Sequence, residues 1–307
     1  MNKVIIVGCG NVSMSYALCL VNQKTKVGEI VLIDRNREKA EGEAMDLNHA
    51  LAFAPGKIDI RAGDYDECSN AKIIVIAAGR NQEVGETRMD LVNKNIEVFK
   101  DIVGKVMKTG FNGIFIVATN PVDVMAYVTQ KLSGFKHGHV LGSGTTLDTA
   151  RLRFLVSEKL KVNVKNVHGY VLGEHGDSEF VAWSNMMVGT SSVASLIKEV
   201  DRIKIAGEVK NSAYDIIKKK GNTSYGIGMC LVKITEAILN DDSSVLTVSS
   251  YDAKEGIYYG KPTVVDKNGA GREFIPDLSD EEKGKLDNSI KVIKSVTSVI
   301  EQNKTLL

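Results

Sequence analysis

The chain has little from which to build a disulfide framework, a flexible linker or a charged arm. Its 307 residues include four cysteines, four prolines and one tryptophan. Cys9, Cys19, Cys68 and Cys230 form neither a C-x-x-C pair nor a metal-ligand spacing, so no metal and a reducing compartment are expected. Charge of one sign is also lacking. Lysine plus arginine total 39 and aspartate plus glutamate 38, a formal net charge of +1, without a block of like charge. That removes the electrostatic argument for a nucleic-acid or anionic-membrane partner. No apolar stretch approaches the roughly 20 residues that span a bilayer, and no signal-peptide pattern precedes the run at residues 3–7. A cytoplasmic protein is expected. Hydrophobic residues at 43% and charged residues at 25% exclude a disordered or collagen-like chain.

What is present in the first half is alternation. Residues 4–7, 30–33, 73–77 and 114–117 are continuous apolar runs, as strands covered on both faces tend to be. Helical spacing lies between them, for example Val92, Ile96, Phe99, Val103 and Val106. Strand–helix alternation predicts an α/β fold with a doubly wound parallel sheet of the Rossmann type. After about residue 143 the character changes. A helix over 146–160, a β-like run at 167–172, helices over 200–219 and 224–240, and β-like runs at 244–249 and 256–265 predict a C-terminal α+β domain. The last two runs are expected to form a small antiparallel sheet. Ser279 with Glu282 three residues on reads as a capping box opening a final helix, with Leu286, Ile290, Ile293 and Ile300 as its buried stripe. The expected domains are residues 1–142 and 143–307, closely packed.

The run at 4–7 leads into Gly8, Gly10, Asn11 and Val12 and then a helix expected over 14–22. A glycine-rich turn between strand and helix lets backbone approach a pyrophosphate and aims helix N–H groups at its charge. Ser13 stands where a third glycine would complete G-x-G-x-x-G, and is small enough to be tolerated. Asp34 ends the second apolar run 21 residues after Ser13. A carboxylate there accepts hydrogen bonds from a ribose diol and repels a 2′-phosphate, so NAD is favoured over NADP. Arg35 directly after it weakens that preference.

His175 lies between two glycines in a loop after a β-like run. Asp148 and Arg151, three residues apart, share one helix face; a surface ion pair is the competing reading. Residues 78–88 form a polar loop at the carboxyl edge of the sheet, where ligands of such folds bind. Together with these residues, LGEHGDS at 172–178, VATNPVD at 117–123, LDTAR at 147–151 and QEVGETR at 82–88 resemble the signatures of the lactate/malate dehydrogenase superfamily, and within it the L-lactate dehydrogenases. The resemblance runs over essentially the whole chain, and it implies that the C-terminal α+β domain is the catalytic and substrate domain.

It implies a set of roles. His175 exchanges a proton with the keto oxygen of pyruvate as hydride passes between substrate and NAD. Asp148 holds the imidazole and favours its protonated form. Arg151 grips the substrate carboxylate through paired hydrogen bonds, and Arg88, on a closing loop with bending points at Gly79 and Gly85, polarises the carbonyl. Asn120 orients the carbonyl ahead of an expected cis Asn120–Pro121 bond, while Thr223 and Ile227 line the substrate and nicotinamide ends. Thr223 also reads as a simple helix cap. Gln82 stands where malate dehydrogenases carry arginine. A second substrate carboxylate would be unpaired there, and Glu86 repels it, so pyruvate is preferred to oxaloacetate.

Arg153, two residues from Arg151 and so about 200° around the helix at roughly 100° per residue, points away from the active site. With His168 it occupies the positions at which bacterial relatives bind fructose 1,6-bisphosphate across a subunit interface; a charged interface pair is the equal reading. The family implies a homotetramer or a dimer. Competing functions are a broader L-2-hydroxyacid dehydrogenase, a malate dehydrogenase and a non-catalytic NAD-binding sensor.

Overall fold

In the computed structural model, which describes residues 2–80 and 88–303 (Arg88 by its backbone alone), the apolar runs of the first half become parallel strands. Together with two further strands they give β1 (Asn2–Val7), β2 (Val27–Ile33), β3 (Asp59–Ala62), β4 (Ile73–Ile76), β5 (Ile114–Val117) and β6 (Val140–Gly142). They pair in the order β3-β2-β1-β4-β5-β6. Every residue of β4 and β5 is buried, which is why these runs show no polar alternation. The edge strand β3 and the three-residue β6 were not legible as apolar runs.

The helices of this half are α1 (Asn11–Val21), α2 (Arg37–Ala50), α3 (Arg88–Lys108) and α4 (Val122–Ser133). The second half adds α5 (Thr146–Leu160), α6 (Val193–Leu196), α7 (Glu199–Lys220), α8 (Tyr225–Asn240) and α9 (Asp280–Gln302). Successive strand residues send their side chains to opposite faces. Val4, Ile6, Ile30, Leu32 and Val75 pack with α1, α2 and α8 on one side. Ile5, Val7, Val31, Ile74 and Ile76 pack with α3, α4 and α9 on the other. The sheet is therefore wound on both faces. No helix among the described residues is long and apolar enough to cross a membrane.

Three expectations need correction. The run at 167–172 is two strands, β7 (Val167–His168) and β8 (Val171–Leu172), in different sheets. The strand is interrupted at Gly169 and Tyr170; a Cβ at Gly169 would lie 2.5 Å from the Met186 side chain. β8 pairs with β9 (Phe180–Val181), and β7 with β10 (Met187–Val188), which continues to β11 (Ser191–Ser192).

The runs at 244–249 and 256–265 each divide as well. β12 (Ser244–Leu246), β15 (Thr263–Asp266) and β16 (Gly269–Glu273) make the expected antiparallel sheet. β13 (Ser249–Asp252) and β14 (Ile257–Gly260) instead extend the main sheet, with Ser249 paired antiparallel to Gly142. All four residues of β14 are buried, between α4 and α9, so this hairpin completes a core that parallel strands alone would leave open. The eight-stranded sheet thus runs through the expected domain boundary at 142/143. Lastly, α1 begins at Asn11, three residues before its expected start, with Gly10 as its cap.

The capping box of α9 is present. Ser279 Oγ accepts from Glu282 N–H at 3.3 Å, and Glu282 Oε2 accepts from Ser279 N–H at 2.9 Å. Ile290, Ile293 and Ile300 are buried, and Leu286 packs beside the first two. All four cysteines are free thiols.

Candidate active site

Two groups of residues meet at the carboxyl edge of the main sheet. The first surrounds the turn between β1 and α1. Gly8 has φ +93°, and a Cβ there would lie 2.7 Å from Ala78 backbone, so the chain's own packing requires glycine. Gly10 is different: its φ is −89°, and a Cβ would meet nothing within 4 Å. The space it leaves lies in front of the first turn of α1, where Asn11 is exposed and Val12 half-buried. Asp34, at the end of β2, accepts from Cys9 N–H at 2.8 Å through Oδ2 and from Asn36 N–H at 2.9 Å through Oδ1. Its carboxylate is thereby fixed against the glycine turn. An open cradle at a helix N-terminus beside an anchored carboxylate fits a dinucleotide's pyrophosphate and ribose. Ser13 fits with a blemish: it is fully buried, and its Oγ has no hydrogen-bond partner among the described residues.

The second group gathers around His175. Asp148 stands in the first turn of α5 and its side chain is 2% exposed. It accepts from Arg151 Nη1 at 2.9 Å through Oδ1 and pairs with His175 Nδ1 at 2.6 Å through Oδ2. Such burial excludes a solvated surface pair. The His175 side chain remains 24% exposed, so one side of the ring is accessible. Burial drives the imidazole toward its neutral form. The charge and hydrogen bond of Asp148, helped by Glu179 and Asp123, outweigh it and raise the His175 pKa to about 9. For Asp148, burial pushes upward, yet His175 and Arg151 hold its carboxyl below the ordinary range.

The loop carrying His175 is held from below. Gly173 (φ +93°) could not carry a side chain, because a Cβ would lie 2.5 Å from Ser289 Oγ. Ser289 of α9 accepts from Glu174 N–H at 2.6 Å. Asp123 of α4, 2% exposed, accepts from His175 N–H at 2.8 Å and from Ser249 Oγ at 2.6 Å. Neither Ser289 nor Ser249 carries a sequence signal. Asp123 ends the quoted VATNPVD segment, which is the one clue to it.

Glu179, directly after GEHGDS, also escaped notice. It offers an oxygen within 4.8 Å of donor atoms on Asp148 and His175, the only such trio among the described residues. With Arg151 already bound to Asp148, this is chemically a proton-transfer cluster more than a metal cage. Burial first, then Asp148, raises the Glu179 carboxyl to about 8 against the pull of His175, Arg151 and Lys210.

The remaining residues arrange as follows. Asn120 is exposed and precedes a cis bond to Pro121. Its carbonyl accepts from Asn95 Nδ2 at 2.9 Å, while Asn95 Oδ1 accepts from Arg80 N–H at 2.7 Å. Buried Asn95 therefore ties the start of the polar loop to the Asn120 segment; a lone asparagine in a helix gave no hint of this. Gly79 is hemmed in, since a Cβ would lie 2.5 Å from Thr119. Gln82, Gly85, Glu86 and the Arg88 side chain lie outside the described residues. Thr223 and Ile227 are half-buried at the start of α8, whose cap position is Ser224, not Thr223. At Gly226 a Cβ would lie 2.7 Å from Leu147, which places this segment beside Asp148. Arg153 turns away from the cluster, as its helical position dictates. Its Nε donates to Gly169 carbonyl at 3.2 Å, next to exposed His168.

Comparison with known proteins is consistent along the chain. The lactate/malate dehydrogenase NAD binding domain model matches residues 2–142, and the lactate/malate dehydrogenase alpha/beta C-terminal domain model matches residues 145–304. The chain is 47% identical over 305 residues to the L-lactate dehydrogenase of Bacillus pumilus (strain SAFR-032), covering 96% of each chain. A lactate dehydrogenase from a Medee basin deep-sea metagenome library superposes with a TM-score of 0.94 at 48% identity, over 97% of this chain and 98% of that one. The minor L-lactate dehydrogenase of Enterococcus mundtii, in its ligands-bound form, gives 0.95 at 43% identity with the same coverage.

Proposed function

The chain belongs to the lactate/malate dehydrogenase family, and on that premise we propose that it is an NAD-dependent L-lactate dehydrogenase interconverting pyruvate and L-lactate. The observation that carries this is the convergence of His175 at 2.6 Å and Arg151 at 2.9 Å on buried Asp148, at the sheet edge that holds the dinucleotide cradle. Gly8, Gly10, Asn11, Val12, Asp34, Asn120 and Ile227 are the residues to hold NAD. When bound, the reduced cofactor supplies a hydride.

Hydride addition to a ketone leaves negative charge on the oxygen, and a proton has to arrive with it. His175 is cationic at neutral pH and its Nδ1 is committed to Asp148, so the other ring nitrogen is the one that faces the keto oxygen. Arg151 spends Nη1 on Asp148 and keeps its remaining donors for the substrate carboxylate. Arg88 and Asn120 are assigned to the carbonyl and Thr223 to the pocket wall. In the oxidative direction His175 takes the proton back.

Gln82 is assigned the choice of substrate. Burying a second carboxylate without a partner costs on the order of 3–5 kcal/mol, a discrimination of roughly a hundredfold or more. Gln82→Arg is expected to move the pyruvate:oxaloacetate ratio of kcat/KM toward oxaloacetate by at least that order. NADH oxidation followed by absorbance with pyruvate, oxaloacetate and 2-ketoisocaproate checks it, and an unchanged ratio would count against the assignment. The proposal extends to domains at 1–142 and 143–307, a cytoplasmic location, a homotetramer, and fructose 1,6-bisphosphate at Arg153 and His168.

A further inference from the structure

Glu179 stands between the proton-transfer cluster and a second space. Its N–H donates to Gly176 carbonyl at 3.1 Å, closing the turn after His175. On one side its carboxyl lies within 4.8 Å of Asp148 and His175. On the other it lines a cavity of about 500 Å³ between α7 and α9. The charged groups facing it are Asp148 and Arg151 from α5, His175 and Asp177 from its own loop, Lys210 from α7, and Glu281 and Lys285 from α9, with Asp123 of α4 behind His175. The two lysines have other partners. Lys210 Nζ donates to Asp177 carbonyl at 2.5 Å, and Lys285 pairs with Glu281 at 2.6 Å.

The charge balance of the cluster then depends on this one carboxyl. With Glu179 neutral, Asp148, Arg151 and protonated His175 sum to one positive charge, which a keto-acid carboxylate neutralises. With Glu179 ionised, the cluster is already neutral and the incoming carboxylate is in excess. In a pocket of low dielectric, like charges at this range disfavour ionisation of one of them strongly.

We infer that Glu179 couples binding of the substrate carboxylate to proton uptake, admitting the anion when neutral and opposing it when ionised. This rests on the dehydrogenase reading and deepens it, naming a pH-dependent control of that same site. His175 must be protonated for binding in any case; Glu179 adds a second proton, so the pH dependence of affinity steepens above the range in which Glu179 ionises.

The test uses the full-length protein saturated with NADH and measures the Kd of oxamate, the unreactive amide analogue of pyruvate, from about pH 6.5 to about pH 9.5. Wild type is expected to show a limiting slope of log Kd against pH approaching two, and Glu179→Gln a slope of one. A carboxyl titrating near 8 in the free enzyme and neutral in the complex predicts that the variant binds about tenfold tighter than wild type near pH 9, with little difference near pH 6.5. Lys210→Met keeps Glu179 but removes a cation that favours its ionisation, and is expected to move the steepening to higher pH. It decides the matter if Glu179→Gln no longer binds NADH. Coincident pH profiles for all three proteins would overturn the inference. Wild-type turnover of pyruvate is measured alongside, near pH 6.5. Its absence strikes the dehydrogenase reading, whereas normal turnover with coincident profiles strikes Glu179 alone.

Discussion

At His175 two effects oppose each other: burial against the imidazolium, and Asp148 in its favour. The carboxylate prevails because it sits at 2.6 Å and is itself shielded from water. Since the folded-state pKa is raised, the pair stabilises the fold fully below the ordinary imidazole range of about 6.5 and loses that contribution as the pH rises through about 9. Arg151 makes a prediction of its own. Lysine has one point charge where arginine has a fork, so Arg151→Lys gives up at least one charge-assisted hydrogen bond to the substrate, about 1.5–3 kcal/mol. The KM for pyruvate is expected to rise about 10- to 150-fold with kcat changed less; steady-state kinetics check it. At this scale the sequence was informative where chemistry sits in contiguous motifs, as with Asp148, Arg151 and His175. It was silent where a side chain acts on another segment's backbone. Asp123 holds His175 N–H from 52 residues away and Asn95 bridges two loops, and no residue-type pattern encodes either contact.

Elements were legible in proportion to their burial and periodicity. The strands buried on both faces and the long helices α5, α7 and α8 fall within a few residues of expectation, because continuous apolar runs and three-four spacing reflect their packing directly. Two- to four-residue strands such as β7 and β13 were misjoined, since their sheet membership depends on distant partners such as Met187 and Gly142. Helix α8 shows a different constraint. A Cβ at Gly228 would lie 2.9 Å from the Ser15 carbonyl carbon and 3.0 Å from Tyr16 N, so this glycine permits α8 to approach α1. Gly228→Ala gains up to about 1 kcal/mol of helix propensity but incurs about 1–3 kcal/mol of overpacking against rigid backbone. Gly104 of α3 meets nothing within 4 Å. Urea denaturation is expected to give a lower midpoint for Gly228→Ala and a higher one for Gly104→Ala.

For the molecule as a whole, one sheet joins both halves, because β13 and β14 continue the order of the first six strands. The cofactor cradle and the His175 loop are therefore built on a common frame, and α9 reaches that loop through Ser289. Arg153 faces the opposite way, toward β7. If the proposed sugar-bisphosphate site is formed there, fructose 1,6-bisphosphate lowers the KM for pyruvate in wild type and leaves Arg153→Ala unaffected; an unchanged wild-type KM would remove the site from the account. The central claim is that an imidazolium maintained by Asp148 delivers the proton that accompanies hydride. Its most direct test is the pH profile of kcat/KM for pyruvate reduction in wild type and Asp148→Asn. The expected wild-type profile begins to fall near pH 8 as Glu179 ionises and falls more steeply through about 9 as His175 loses its proton, and the variant is reduced by on the order of a hundredfold or more, with its break moved to the acid side of the wild-type one. A variant whose profile breaks at the same pH as wild type would contradict it.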